Sequence, residues 1–145
     1  MYFELSILIR RSPSDVFAFL RDKDQYPQED DSPVLILEKT TVGPVGVGTR
    51  YREVVQMLPF VRGEILSEIT RYEPSQFLEE DFEGASMKGH LAYQFLPEGV
   101  GTRLIQRETL SAQGFLKPLE PVIECMLSRR LIERLEGIKT VLEGD

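Results

Sequence analysis

The sequence predicts an α+β domain in which a seven-stranded antiparallel sheet curves around one long C-terminal helix. Three observations predict it. Apolar and polar residues alternate in successive short segments, glycine or proline stands where these segments reverse, and the C-terminal segment changes to apolar spacings of three and four. A period of two indicates strands with one buried face, and a period near 3.6 indicates a helix. Because a sheet of this size tends to curl, its concave face can wrap the helix.

The N-terminal segment predicts a half-buried strand followed by two short helices. Apolar residues occupy alternate positions of this strand: Phe3, Leu5, Ile7 and Ile9. After it, Ser12 can cap the free N–H groups of a helix, Pro13 suits its first position, and Asp15 favours the helix dipole. Segment 22–33 is polar and contains two prolines, so a second short helix is the most that we expect there.

Six further strands and the long helix follow from residue 34. The strands are predicted at 34–41, 49–57, 61–72, 76–83, 87–96 and 102–111. The helix is predicted from eight apolar residues at three- and four-residue spacing: Leu119, Ile123, Met126, Leu127, Leu131, Leu135, Ile138 and Leu142. We therefore expect about seven helical turns at 3.6 residues each.

Length and charge limit the kinds of protein to consider. The 145 residues suit one domain spanning 1–145, with no linker or repeat. The net charge is -7, from 24 acidic against 17 basic residues, and no basic stripe is visible. A nucleic-acid partner is therefore not expected, and neither is docking on anionic lipid through a basic face.

Cysteine usage and hydropathy indicate a cytoplasmic protein. Cys125 is the only cysteine, so no internal disulfide is possible, and its apolar helical surroundings predict a buried structural thiol. The alternating first segment, 1–10, does not have the pattern of a signal peptide. No apolar run approaches the roughly 20 residues of a membrane span.

The chain resembles the START-like, polyketide cyclase/dehydrase superfamily, also called SRPBCC or helix-grip proteins. The matching segments are SPSDVFAFLRD (12–22), GPVGVGTRY (43–51), EITRYEP (68–74), YQF (93–95) with GTR (101–103), and LEGIKTVLE (135–143). Their order along the whole chain carries the resemblance. One departure is that many relatives have a Trp after the first helix, where this chain has Gln25-Tyr26-Pro27-Gln28. The resemblance implies the fold but no single function, since members include lipid carriers, hormone receptors and aromatases.

Both the curled sheet and the resemblance predict an apolar pocket between sheet and helix. We expect it to be lined by residues of the inward strand faces and the helix: Tyr51, Glu53, Val55, Met57, Phe82, Leu91, Tyr93, Phe95, Gln106, Glu108, Ile123, Met126 and Arg130. Glu53, Gln106 and Glu108 are polar residues on otherwise apolar faces. A carboxylate in such a pocket either has a raised pKa, as an acid or base requires, or is neutralised by Arg50, Arg52, Arg103 or Arg130.

Apolar residues in two connections predict a rim for this pocket. Leu58 and Phe60 lie between the third and fourth strands, and Phe115 and Leu116 precede the long helix. In the helix-grip layout both connections flank the pocket mouth. The alternative is that they pack over the end of the sheet.

Other chemistry finds little support in the sequence. The glycine-rich turn at 43–48 precedes a strand and not a helix, so we interpret it as a hairpin and not a phosphate site. His90, the only histidine, shares the outward parity of its strand. We expect no metal, no cofactor and no assigned catalytic residue.

Three functions remain open. The first is a binding module for a small hydrophobic or aromatic ligand, lipid- or polyketide-like. The second is a cyclase/dehydratase-type enzyme that uses a cavity carboxylate. The third is a protein-interaction domain without a small ligand.

Overall fold

A computed structural model describes residues 1–25, 34–58 and 61–144 of the chain. Its strands are β1 (Tyr2–Ile9), β2 (Val34–Lys39), β3 (Arg50–Leu58), β4 (Val61–Glu73), β5 (Phe77–Gly84), β6 (Met87–Glu98) and β7 (Gly101–Ala112). Its helices are α1 (Pro13–Arg21), a first 3-10 helix (Lys23–Gln25), a second 3-10 helix (Gly114–Leu119) and α2 (Glu120–Glu143).

The seven strands form one antiparallel sheet in the order β1-β7-β6-β5-β4-β3-β2. Consecutive strands from β2 to β7 are neighbours, and β1 closes the order by pairing with β7. The predicted α+β class, the seven strands, the long helix and the short helix after β1 are confirmed. Strand ends differ from the prediction by at most two residues, because hydrogen-bonded pairing and not the apolar pattern sets them. The second 3-10 helix was not predicted.

The start of α1 follows from its sequence. The Ser12 side chain accepts a hydrogen bond from the backbone N–H of Asp15 at 3.2 Å, and Pro13 is the first helical residue. Phe17 then packs edge-on against Tyr72 and Phe95, with ring centroids 5.3 and 5.2 Å apart. These contacts fix α1, and with it the first 3-10 helix, over the inner face of the sheet.

Two apolar clusters hold the elements together. The larger cluster joins α1, the inner face of the sheet and the C-terminal half of α2, where Leu135, Ile138 and Leu142 are buried. The smaller joins Ala112, Leu116 and Ile123. Leu116 is therefore core, and its expected place on an open rim is wrong.

The exposed position of Cys125 corrects a second expectation. We expected a buried thiol, but Cys125 is exposed. Ile123 lies two positions earlier and is buried. Two residues turn an α-helix by about 200°, so the thiol and Ile123 lie on opposite sides of α2. Among the described residues, no helix is both long and apolar enough to cross a membrane.

Candidate functional site

Strand register divides the sheet into an outer face and an inner face that α1 and α2 cover. Directly opposed residues of antiparallel strands share a face. Glu108 faces Phe3 on one side and Leu91 on the other, and Leu91 in turn faces Glu80. One row across the inner face thus contains two carboxylates separated by a leucine.

Five ionisable side chains from five elements meet on this inner side. We call them the interior charge cluster: Lys23, Glu53, Glu80, Glu108 and Arg134. They come from the first 3-10 helix, β3, β5, β7 and α2 respectively. Because burying charge is costly, such a concentration inside a domain of 145 residues is characteristic of a functional site.

Lys23 holds two of the carboxylates. Its Nζ lies 3.4 Å from Oε1 of Glu53 and 3.0 Å from Oε2 of Glu80, and all three side chains are at most one-fifth exposed. It also lies 4.4 Å from the centroid of the Tyr51 ring. Burial alone disfavours the ammonium ion, but Glu80 and Glu53 outweigh it and raise the pKa of Lys23. Burial also raises the pKa of Tyr51, to about 12.

Arg134 approaches the cluster from α2. Its Nη1 donates a hydrogen bond to the hydroxyl of Tyr93, and no other hydrogen bond within the described ranges uses its remaining N–H groups. Tyr93 beside it, and then Glu80 and Glu108, raise the pKa of Arg134 against the effect of burial. Burial raises the pKa of the Tyr93 hydroxyl, and the opposing effect of Arg134, which lowers it, is smaller. The guanidinium therefore remains charged with most of its donors available.

Arg134 remains accessible to solvent beside buried groups. By accessible area Arg134 is exposed, whereas Tyr93 and Glu108 next to it are buried. The protein atoms around these neighbours strengthen its electrostatic interactions with them, since they lower the local dielectric.

Glu108 is the least compensated acid of the cluster. It is 9% exposed, and no residue in 1–25, 34–58 or 61–144 forms a hydrogen bond or ion pair with it. Burial raises its pKa to about 7; Arg134 opposes this rise, while Glu80 and Glu53 add to it. Near neutral pH this carboxyl is therefore present in both protonation states.

Gln106 lies two residues before Glu108 on the same face of β7. It is 1% exposed, and neither Oε1 nor Nε2 has a hydrogen-bond partner in the described part of the chain. The hydroxyl of Ser67 on β4 is likewise buried and unpaired among these residues. Buried amides and hydroxyls are nearly always paired, so these three atoms are unusual for a core.

The predicted lining residues occupy different environments. Buried residues are Tyr51, Leu91, Tyr93, Phe95, Gln106, Glu108 and Ile123; half-buried residues are Glu53, Val55, Phe82 and Met126. Arg130 is exposed. The side chains of Met57 and Leu58, and the whole of Phe60, lie outside the described part of the structure, so their predicted roles remain predictions. Phe115 is 62% exposed, and its place on a rim remains a prediction.

The expected neutralising arginines lie elsewhere. Ion pairs on the outer face or at its turns engage them: Arg50 with Glu68, Arg52 with Glu38 and Glu64, and Arg103 with Glu98. Lys23 and Arg134 have the neutralising role that we assigned to these arginines and Arg130. Arg50 and Arg52 lie on the outer face because they alternate along β3 with Tyr51 and Glu53, which point inward.

Three members of the cluster were not found from sequence. Glu80 carries a usable signal, since it alternates with the inward Leu78 and Phe82. Arg134 carries one too, because it stands three positions after Leu131 and four before Ile138, both buried. Lys23 carries none, since its position depends on how α1 ends.

The outer face has different chemistry. His90 there bonds Asp81 at 2.6 Å and Glu79 at 2.8 Å, and these carboxylates outweigh desolvation to raise its pKa. An open groove of about 980 Å³ runs along this side of β4, β5 and β6. It lies away from the interior charge cluster. Across the described ranges, no three His, Cys, Asp or Glu side chains are grouped as a metal site requires.

An antiparallel seven-stranded sheet that packs its inner face against a long C-terminal helix defines a START-like, helix-grip domain. The chain belongs to the family described as polyketide cyclase / dehydrase and lipid transport, which matches residues 2–143. No curated protein matched the sequence significantly.

Solved structures agree with this fold. Protein TTHA0849 from Thermus thermophilus superposes with a TM-score of 0.77 at 20% identity, covering 96% of this chain and 94% of that one. A START superfamily protein from Mycobacterium smegmatis gives 0.77 at 14% identity, covering 97% and 98%. At these identities the likeness concerns the fold alone.

Proposed function

We propose that this domain binds a small, largely apolar molecule between α2 and the sheet, with the ligand's polar end at the interior charge cluster. The observation that carries the proposal is Arg134, an accessible guanidinium beside the buried Tyr93 that uses one donor, toward the Tyr93 hydroxyl. A ligand group is the natural partner for the unused donors. The family description, which includes lipid transport, supports the same class of ligand.

The energetics of the cluster also support a binding role. Well-packed apolar residues stabilise a core at least as well as a buried ion network. Here Lys23 and Arg134 share the interior with three acids, and Glu108 has no partner among the described residues. This arrangement sacrifices stability, which is typical of sites that must recognise a polar group.

Ligand capture is testable without knowing the natural ligand. Protein purified under native conditions should carry an extractable apolar molecule, or give a thermal shift with members of a panel of lipids, polyketides and aromatic acids. Arg134→Met should weaken the hits, while Arg129→Met, which removes an arginine of the same helix outside the predicted lining, should leave them unaltered. No extractable ligand and no shift across the panel would reject the proposal for these classes.

Acid–base catalysis is the second candidate, and Glu108 is the observation that favours it. A carboxyl with a pKa of about 7 can both donate and accept a proton at neutral pH. A cyclase or dehydratase acting on a poly-ketone requires such a group beside a positioned substrate. Glu108→Gln should abolish turnover of an active substrate, with Glu53→Gln as the comparison. Unchanged turnover in both variants would exclude these bases.

A cytoplasmic location is proposed on the basis of the single cysteine, an unpaired and exposed thiol that suits a reducing compartment. Fractionation of cells that express the full chain tests it. Recovery with the secreted fraction would contradict it.

A further inference from the structure

We propose that the polar end of the ligand is a carboxylate, bound by Arg134, and that its binding is coupled to uptake of one proton by Glu108. This inference rests on the proposed function and specifies the chemical class of the ligand. It is carried by two placements on the inner side of the sheet: the Arg134 guanidinium with unused donors, and the buried Glu108 carboxyl without a partner among the described residues.

The donors at the site favour an oxygen acceptor. Arg134 uses Nη1 toward Tyr93, which leaves the Nε and Nη2 edge for a planar carboxylate, the geometry that guanidinium binds in a bidentate manner. Once protonated, Glu108 adds an O–H. A ligand amine would instead pair with the ionised Glu108 carboxylate, but it would then lie beside the positively charged Arg134 and leave the unused Arg134 donors without an acceptor.

Charge balance requires the proton. Two cations face three acids in the cluster, so with Glu108 ionised its net charge is already negative, and an added carboxylate would meet repulsion. Protonation of Glu108 removes one negative charge and supplies a donor. Glu53 and Glu80 differ from Glu108 because each forms an ion pair with Lys23, at 3.4 and 3.0 Å, whereas no described residue forms one with Glu108.

The groups around Glu108 allow this coupling from every side. Arg134 faces it from α2, Glu80 from β5, Glu53 from β3 and Tyr93 from β6. Lys23 on the first 3-10 helix neutralises the two acids, and β1 presents the apolar Phe3 opposite Glu108. No histidine belongs to the set, because His90 points to the outer face. Glu108 is therefore the group expected to change protonation near neutral pH.

The sign of the pH dependence follows. A carboxylate ligand stays ionised between pH 6 and pH 8, whereas Glu108 loses its proton over this interval. If only the protonated form accepts the ligand, affinity falls as pH rises, by up to about tenfold between pH 6 and pH 8. A neutral ligand of the same length does not require protonation of Glu108, so its affinity should stay constant between pH 6 and pH 8.

The experiment uses decanoate and 1-decanol at micromolar concentration, with binding measured by titration calorimetry of the full chain at pH 6, 7 and 8. For decanoate we expect affinity to fall with pH and, at pH 7.5, two buffers of different ionisation enthalpy to report uptake of most of one proton. Glu108→Gln should remove both effects. Arg134→Met should weaken decanoate at least tenfold and leave 1-decanol unchanged, while Arg129→Met, an exposed change on the same helix, changes neither.

The outcomes separate this inference from the proposed function. If 1-decanol binds and decanoate does not, or if both bind equally with no proton uptake, the carboxylate assignment is wrong while apolar binding stands. If no panel member binds, both proposals fail. Retained 1-decanol binding by each variant shows that it is folded. If Arg134→Met does not bind 1-decanol, Arg134→Lys replaces it in the experiment. Arg134→Lys keeps the positive charge but not the bidentate guanidinium edge, so it should bind decanoate more weakly than wild type.

Discussion

Nζ of Lys23 lies 3.0 Å from Oε2 of Glu80, a contact that joins the 3-10 helix after α1 to the fifth strand across the interior. The same ammonium group reaches Glu53 on β3 at 3.4 Å. One lysine therefore neutralises carboxylates from two strands, β3 and β5, that are not neighbours in the sheet.

Replacing this lysine should be costly. Lys23→Met leaves Glu53 and Glu80 buried without their cation, so we expect a loss of about 3 kcal/mol in the free energy of unfolding at pH 7. Urea denaturation measures it. Lys88→Met, on the outer face, should stay within about 0.5 kcal/mol of wild type. Equal effects for both lysines would contradict the interior role.

The wild-type protein should also lose this contact in alkali. The pKa of Lys23 is raised above its usual 10.5, so its contribution to stability is complete below that pH and is lost as pH rises through the raised value. A plot of unfolding free energy against pH should therefore fall more steeply above pH 10.5 for wild type than for Lys23→Met. Parallel curves would contradict the prediction.

Glu108 should lower stability when it is ionised. Its pKa of about 7 in the folded state exceeds the ordinary 4.5, so the folded state binds more protons between these values and stability falls as pH rises through them. Glu108→Gln should therefore stabilise the apo protein by about 3 kcal/mol at pH 8. The gain should vanish below pH 4. Glu83→Gln, on the outer parity of β5, should show no such pH-dependent gain in thermal unfolding.

Gln106 should also be replaceable with a gain in stability. Its amide has two buried atoms without partners in the described ranges, so the similarly shaped Gln106→Met removes their desolvation penalty, and we expect about 1–2 kcal/mol of added stability. Gln94→Met provides the contrast, because Gln94 accepts a 3.0 Å hydrogen bond from Arg107. Chemical denaturation of both variants measures the change in the free energy of unfolding. A lower stability of Gln106→Met would indicate that the Gln106 amide has hydrogen-bond partners in solution.

Gly89 is required where the ring of Phe82 crosses β6. A Cβ added there would meet the carbonyl oxygen of Thr109 at 2.1 Å and Cζ of Phe82 at 2.7 Å. Gly89→Ala should therefore destabilise by about 2–3 kcal/mol through backbone displacement. Gly46→Ala is the control, since nothing in the described part of the chain lies within 4 Å of its added Cβ. A drop in melting temperature confined to Gly89→Ala is expected, and equal melting temperatures would refute the contact.

Part of the site was predictable because strands repeat every two residues. Glu53, Gln106 and Glu108 were placed on the inner face from alternation alone, and the observed register puts them there. Helical residues were harder to place. Arg130 was chosen for the lining, but Arg134, one turn later on α2, is the arginine that reaches Tyr93.

What the sequence by itself determined is the architecture: the periods of two and 3.6, the Ser12 cap and the reversals with glycine or proline are local signals, and each is set by neighbours in the chain. Only the tertiary structure decided which charges meet. Lys23, Glu80 and Arg134 converge from segments far apart in the chain, and their pairing depends on how α1 and α2 pack on the curved sheet. That packing also left Glu108 and Gln106 without partners among the described residues, because long-range contacts and not local pattern determine which group lies opposite a buried polar side chain.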